Sequence, residues 1–322
     1  MSRRPSVFYV QLLLPTRVQK PWKHSESYIP LAEPTPIVPC SSPRWTTEVI
    51  RPALCSFGPG SAAGLFGYTP FHLQQCYSVE SWSFSRALVD AVRLLSDGKA
   101  PDFLRPFLAG GVSIALKKGT TGVRPLCCGD PLRRLVSKCY CLGASAEIST
   151  YFKGRNYGVG CPGGVEVVAH SLRDVLRKHA HSELALLKID FSNAFNQVDR
   201  QAFMHATTKH FPGLANWTNW CYAQKSMLLY DHNQIIDSSS GVQQGDPLGP
   251  LYFCFALAPL VEEIAALGPV YQKWYMDDGG IVAPVPILLQ VWELLRVKGP
   301  PLGLVRSASG CGSIRALGHR AP

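Results

Sequence analysis

Trp274-Tyr275-Met276-Asp277-Asp278-Gly279-Gly280 is the stretch on which the reading of this chain turns. Two adjacent carboxylates follow a strand-like run from Val270 to Met276, with two glycines behind them. Ile281-Val282-Ala283 then resumes strand character before Pro284 ends it. The pattern predicts a β-hairpin whose tight turn carries Asp277 and Asp278. Asp and Gly are ordinary turn residues, so the stretch alone proves no more than a turn.

Its meaning comes from upstream. Leu184-Ala185-Leu186-Leu187-Lys188-Ile189-Asp190 is a nearly continuous apolar run, suited to a buried central strand, with an acid at its C-terminal end. Phe191-Ser192-Asn193-Ala194-Phe195-Asn196 turns out of it into a helix expected to run to about His210. If this strand and the hairpin share one antiparallel sheet, the acids meet. Carboxylates packed together raise one another's pKa unless cations neutralise them. Two Mg²⁺ ions about 3.5–4 Å apart would do so and would supply phosphoryl-transfer chemistry. Carboxylate ligation with retained waters suits that ion.

Outward from this pair, Gly241-Val242-Gln243-Gln244-Gly245-Asp246-Pro247-Leu248 leads into an apolar helix from Gly249 to Leu267. Asp246-Pro247 is helix-start chemistry, but a cap does not explain the polar residues ahead of it. Ser226 to Tyr230 and Gln234 to Ser238 read as short strands, and Trp217 to Gln224 as a helix. Gly164 to Ala180 is an amphipathic helix. Before it, Asn156-Tyr157-Gly158-Val159-Gly160-Cys161-Pro162-Gly163-Gly164 matches no phosphate-binding fingerprint and reads as a loop of close backbone approach.

Further back, Val112 to Leu116 and Val123 to Cys128 form a two-stranded ribbon around Lys117-Lys118-Gly119, with Arg124 on the return arm. Such a ribbon can clamp phosphate. Pro131 to Gly143 reads as a helix with a cationic face of Arg133, Arg134 and Lys138, and another helix runs from Arg86 to Leu95. Residues 1–84, punctuated by proline, are expected to be an irregular, poorly ordered lead segment.

The net charge of +10 over 322 residues favours a polyanionic partner. It is concentrated: ten Lys/Arg against four Asp/Glu between Arg86 and Lys138, and no acid after Glu293. The eleven cysteines lack the paired spacing of a zinc site. No secretory signal is evident, and no apolar run is read as reaching the ~20 residues of a membrane span. An intracellular protein acting in the nucleus, without a membrane partner, is expected; oligomeric state is not legible.

The order of these motifs resembles a reverse transcriptase of the non-LTR retrotransposon, LINE-like type. Arg124-Pro125-Leu126 with Gly129-Asp130-Pro131-Leu132-Arg133-Arg134-Leu135-Val136 resembles that family's fingers. Asp190-Phe191-Ser192-Asn193-Ala194-Phe195 resembles its first catalytic motif, Gly241 to Leu248 its second, and Tyr275-Met276-Asp277-Asp278 its third. The resemblance covers residues 85–304. It implies an α+β right-hand polymerase, fingers and palm, whose antiparallel palm sheet and packed helices form a ferredoxin-like core, with the thumb missing or truncated. It implies an RNA template, a DNA primer, dNTPs and two Mg²⁺ ions, with Mn²⁺ as a substitute. Asp190, Asp277 and Asp278 would be catalytic, and Phe191 would add a metal ligand through its carbonyl. Phe195 would exclude the 2′-hydroxyl of a ribonucleotide. Gln244 and Gly245 would line the nucleotide pocket, Arg124 and Lys118 would hold the triphosphate, and Tyr275 and Met276 would lie under the primer end. The cationic helix face, Arg133, Arg134 and Lys138, would follow the nucleic-acid backbone.

Two departures stand out. After Pro301-Leu302-Gly303-Leu304 the family's lysine-bearing segment is missing, and residues 305–322 read as a divergent basic tail. A fingers-and-palm piece of a larger element protein, with its reading frame disrupted at Val305, is one expectation. The competing readings are an inactive relic that only binds nucleic acid, and an RNA-dependent RNA polymerase on the same palm.

Overall fold

The apolar run Leu184–Ile189 is the middle strand of a five-stranded sheet. The computed structural model describes residues 9–10, 43, 45–78, 82–118, 122–180, 182–230, 234–305 and 314–317. In chain order these give β1 (Tyr9–Val10), α1 (Thr47–Cys55), α2 (Pro70–Ser78), α3 (Trp82–Ser96), α4 (Arg105–Leu108), β2 (Gly111–Lys118) and β3 (Gly122–Gly129). Next come α5 (Pro131–Gly143), α6 (Ser145–Phe152), α7 (Gly164–Lys178), β4 (Leu184–Ile189), α8 (Ala194–Gln197), α9 (Arg200–His210) and α10 (Pro212–Tyr222). The rest are β5 (Ser226–Tyr230), β6 (Gln234–Ser238), α11 (Gly249–Ala266), β7 (Tyr271–Tyr275), β8 (Asp278–Pro284), α12 (Val285–Lys298) and β9 (Ile314–Leu317).

The larger sheet has the order β1-β9-β4-β8-β7, and every neighbouring pair is antiparallel. Alternate residues of a strand face opposite sides, and both sides are covered. Leu184 and Leu186 with Val282 and Tyr271 pack against Leu172, Val175 and Leu176 of α7. Ala185, Leu187 and Ile189 with Ile281 and Ala283 join the main core, where α11 is almost wholly enclosed. A second sheet, β3-β2-β5-β6, joins the basic ribbon to the β5–β6 hairpin through a parallel β2–β5 pairing.

Four expectations are corrected. The helix leaving Asp190 is two helices, because Val198 and Asp199 are extended and the Asp199 carboxylate caps α9 by accepting from Ala202 N at 2.8 Å. The lead segment is not structureless: α1 and α2 are folded, and Trp45, Ile50, Leu54 and Phe57 are buried in the core. Proline was a poor guide there. Pro70 opens α2, where a missing N–H costs nothing, and Pro52 sits in α1 beside the buried Ala53. Residues 1–8 and 11–42 lie outside the described residues. The tail is not merely divergent either, since Ile314–Leu317 inserts as β9 between β1 and β4. Finally, α11 is long and apolar enough to cross a membrane by length and composition, yet 67% of its span is buried inside the molecule.

Trp45 anchors the lead segment. Its indole N–H donates to Ser96 Oγ at 2.8 Å, and its ring meets Tyr140 edge-on at 4.8 Å. Trp45→Ala should therefore destabilise the whole chain by about 3–5 kcal/mol, read as a lowered urea midpoint. A truly disordered lead would leave the midpoint unchanged.

Candidate active site

Register decides where the acids lie. Ile189 is paired with Gly279 across β4 and β8, and neighbouring strands run about 4.7–4.9 Å apart. Asp190 leaves the end of β4, and Asp278 opens β8 directly before Gly279. The acids read from distant parts of the sequence therefore share one end of one sheet. Tyr275 pairs with Asp278, so the turn itself consists of Met276 and Asp277. Asp278 is exposed on the first strand position and is not a turn residue, a small correction of the expected hairpin.

The turn is tight for identifiable reasons. Met276 adopts φ 52°, where two-residue hairpins of this kind usually place glycine. Opposite, a Cβ on Gly279 would lie 2.6 Å from the Trp274 ring, so only glycine lets that indole lie across the sheet. Trp274 in turn stacks with Phe191, their planes 8° apart. The Phe191 side chain is thus buried in the core, which leaves its backbone at the sheet end beside Asp190.

Asn156, in the glycine-rich loop, is a residue the sequence reading did not single out. It is buried, and its side chain accepts from Met276 N at 2.9 Å and donates to Met276 O at 3.0 Å. Tyr157 N donates to Trp274 O at 2.8 Å, and Lys273 Nζ donates to Tyr157 OH at 3.1 Å while lying over its ring. The loop was legible as a place of close approach. What it approaches was not, because loop and hairpin are far apart in sequence.

The second motif forms a buried polar knot. Arg133, 2% exposed, donates to Asp246 Oδ2 at 2.9 Å and also to Gln243 Oε1 and the Ala109 carbonyl. Tyr222 OH donates to Asp246 Oδ2 at 2.7 Å, and Asp246 Oδ1 accepts from Leu248 N ahead of α11. Burial, then the Asp246 carboxylate, keeps the Tyr222 hydroxyl protonated far above the ordinary phenol range. Burial works against the Arg133 charge, but the paired Asp246 carboxylate keeps the guanidinium protonated. Gln243 Nε2 completes the knot on Ala109 O at 2.9 Å and Ser226 Oγ at 3.1 Å.

Arg133 was expected on the nucleic-acid backbone, and that expectation is wrong, since its guanidinium is sealed in this ion pair. The other two members of that helix face are occupied as well. Arg134 donates to Ala62 O and lies over Phe57, and Lys138 donates to Ser56 Oγ at 2.9 Å over the same ring. The folded lead segment covers the face read as a phosphate track.

The other expected residues fall around the sheet end and the ribbon. Phe195 is half-buried, with one face stacked on Phe253 at 4.8 Å, and its carbonyl accepts from Val242 N. Gln244 O accepts from Cys127 N at 2.7 Å, tying the second motif to β3. Gly245 (φ 123°) is obligatory, because a Cβ would lie 2.1 Å from Cys127 O. Tyr275 and Met276 are half-buried beside the acids. Lys117 and Arg124 are exposed on the ribbon; Lys118 pairs with Gly122, and its side chain lies outside the described residues.

Among the described residues no three His, Cys, Asp or Glu side chains gather closely enough to hold an ion by themselves. The donor set nevertheless fits Mg²⁺, which is commonly held by one or two carboxylates together with substrate phosphates and waters. Asp190 and Asp277 would supply such a pair, and the Phe191 carbonyl would be another hard oxygen.

The fold and this site together define the palm and fingers of a right-hand polymerase. The family model "Reverse transcriptase (RNA-dependent DNA polymerase)" matches residues 116–287, more than half of the chain. The chain belongs to the reverse transcriptase family. It is 24% identical over 266 residues to the retrotransposable element SLACS 132 kDa protein of Trypanosoma brucei gambiense, covering 77% of this chain and 21% of that one. The chain spans about a fifth of that relative's length. Two telomerase structures are similar at 13% identity. Apo telomerase from Candida tropicalis, truncated from the C-terminal domain, gives a TM-score of 0.48 over 67% of this chain and 52% of that one. Telomerase from Candida albicans in complex with a TWJ fragment of telomeric RNA gives 0.49 over 65% and 43%.

Arg133→Ala should cost about 3–5 kcal/mol, because it strands a buried carboxylate. Arg133→Met with Asp246→Leu should recover most of that loss, both read from urea unfolding. Alkaline pH tests the same interior. Burial, opposed by Arg133, pushes the Cys127 thiol from 9.0 up to about 12, and burial likewise carries Cys139 and Cys221 to about 12. From about pH 9 the unfolded chain releases thiol protons that the folded chain keeps, so stability should fall toward pH 12 and be untouched by these groups below pH 9. Urea midpoints across pH 8–11 should show the decline, shallower in Cys127→Ala.

Proposed function

We propose that this chain is an RNA-directed DNA polymerase, adding dNTPs to a DNA 3′-end paired on an RNA template. The observation that carries the reading is the pairing of Ile189 with Gly279, which brings Asp190 to the same sheet end as Asp277 and Asp278. Asp190, Asp277 and the Phe191 carbonyl would hold two Mg²⁺ ions, with Asp278 assisting from its exposed position. Bound there, the ions would neutralise the carboxylates, acidify the primer 3′-hydroxyl and offset the charge on the leaving pyrophosphate.

The chain's own residues do the rest. Phe253 backs one face of the Phe195 ring; the wall its other face offers to the sugar would exclude a 2′-hydroxyl. Gln244 and Gly245, held against β3 by the Cys127 amide, would form the floor beneath the nascent base pair. Arg124, exposed on the ribbon, would meet the triphosphate together with Lys118. Tyr275 and Met276 would carry the primer end, and its 3′-hydroxyl would then lie beside Asp277.

Primer extension on an RNA template with Mg²⁺ should be measurable for the wild type. Asp190→Ala and Asp277→Ala should each lower it by at least ~10³-fold, as expected when phosphoryl-transfer charge stabilisation is removed. Phe195→Ala should gain ribonucleotide incorporation while keeping deoxynucleotide extension. Hybrid binding without extension by the wild type would instead mark an inactive relic, and equal use of both sugars by the wild type would mark an RNA polymerase.

A further inference from the structure

Met276 is held by a device that the polymerase reading does not itself require. A non-glycine residue at φ 52° is disfavoured in isolation, and here it directly precedes Asp277. Its peptide groups do not rely on the hairpin alone. The Asn156 side chain, 4% exposed, takes the Met276 N–H at 2.9 Å and gives an N–H to the Met276 carbonyl at 3.0 Å. The same Oδ1 accepts from Gly158 N at 2.9 Å, which fixes the amide's orientation. The backbone continues the attachment: Asn156 bridges Trp274 in parallel, and Tyr157 N donates to Trp274 O at 2.8 Å. Gly158 makes the approach sterically possible, since a Cβ there would lie 2.5 Å from Met276 Cγ and 2.6 Å from its N.

We propose that Asn156 is a positioning residue for the polymerase reaction: its carboxamide clamps Met276 in the left-handed conformation and so fixes where Asp277 stands. The inference rests on the reading of Asp277 as catalytic, but the clamp itself does not. Only a group that both donates and accepts can bind the two peptide faces of one residue, and a carboxamide is the compact side chain that does so. The Asn156 end of both bonds is buried and the Met276 end half-buried. The loop between α6 and α7 thus makes a single bridge on the outer edge of β7, ending in a two-point grip on the turn.

The test uses the full chain, with hydrogen exchange of the segment Tyr271 to Gly280 read by mass spectrometry and steady-state primer extension read alongside. Asn156→Ala should speed exchange at Tyr275–Gly279 by about 10-fold or more while leaving α11 protected, the signature of local opening. It should lower kcat by about 10–100-fold, the cost of a small misplacement of a reacting group, with KM for dNTP changing less than about threefold. Gly158→Ala, which pushes where the first variant unties, should give the same pair of changes and guards against one variant failing to fold. Unchanged exchange at the turn in both variants would overturn the clamp. Faster exchange with unchanged kcat would overturn the positioning role, as would a uniform loss of protection across the chain. If the wild type extends no primer, the polymerase reading falls, and exchange at the turn decides the clamp alone.

Discussion

The pairing of β4 with β8 is the constraint on which the rest of the molecule depends. A slip of one residue would turn every side chain of either strand to the opposite face. Here that would carry Leu187 and Ile189 out of the main core and Leu184 and Leu186 out of the layer formed by α7. Because both faces are covered, both penalise the slip, and apolar burial on two sides fixes a backbone register. That register is what sets Asp190 beside the hairpin acids. The acids therefore do not have to attract one another to come together, which they could not do. The hydrophobic layers hold them in place despite their mutual repulsion.

A second constraint fixes the Gly241–Asp246 loop. The Arg133–Asp246 pair is fully enclosed, and burying such charges is costly enough that an apolar replacement would serve stability equally well. What the guanidinium provides is direction. Its planar fork reaches Asp246 and Gln243, two points on one loop, from α5. Arg200 works on the same loop from the other side, donating to Gly241 O and Ser238 O at 3.0 Å each. The Gly241–Asp246 loop is thus held by two buried arginines, and Gln244 and Gly245 are presented on its outer surface against β3.

Most strands and most long helices were legible in the sequence, because their periodicity answers to burial that the sheets supply. The run Leu184–Ile189 read as a central strand and is one, and the ribbon, the β5–β6 pair and the acidic hairpin fall where alternation and turn residues put them. The failures have a common cause. Composition reports what a side chain can do alone, not which partner it finds. Arg133 read as a phosphate ligand because its acid lies in a distant motif, and Asn156 read as nothing because its partner is the backbone of a residue far along the chain. Prolines in the lead segment read as breakers, although one opens a helix and another is accommodated within one.

These misreadings change the account of the charge. A basic composition invites a basic surface, yet α5, the richest helix in the expected patch, spends its cations internally. Arg133 is sealed against Asp246, while Arg134 and Lys138 grip the carbonyls and the aromatic ring of the segment from Ser56 to Ala62. Burial lowers the pKa of both of those groups, as expected for cations engaged by protein more than by water. The lead segment thus engages the face of α5 that a polyanion would otherwise meet. Lys117 and Arg124 of the β2–β3 ribbon, by contrast, are exposed. Folding of the lead onto α5 therefore works as a sorting step: it engages one set of positive charges in structure and leaves Lys117 and Arg124 of the ribbon exposed.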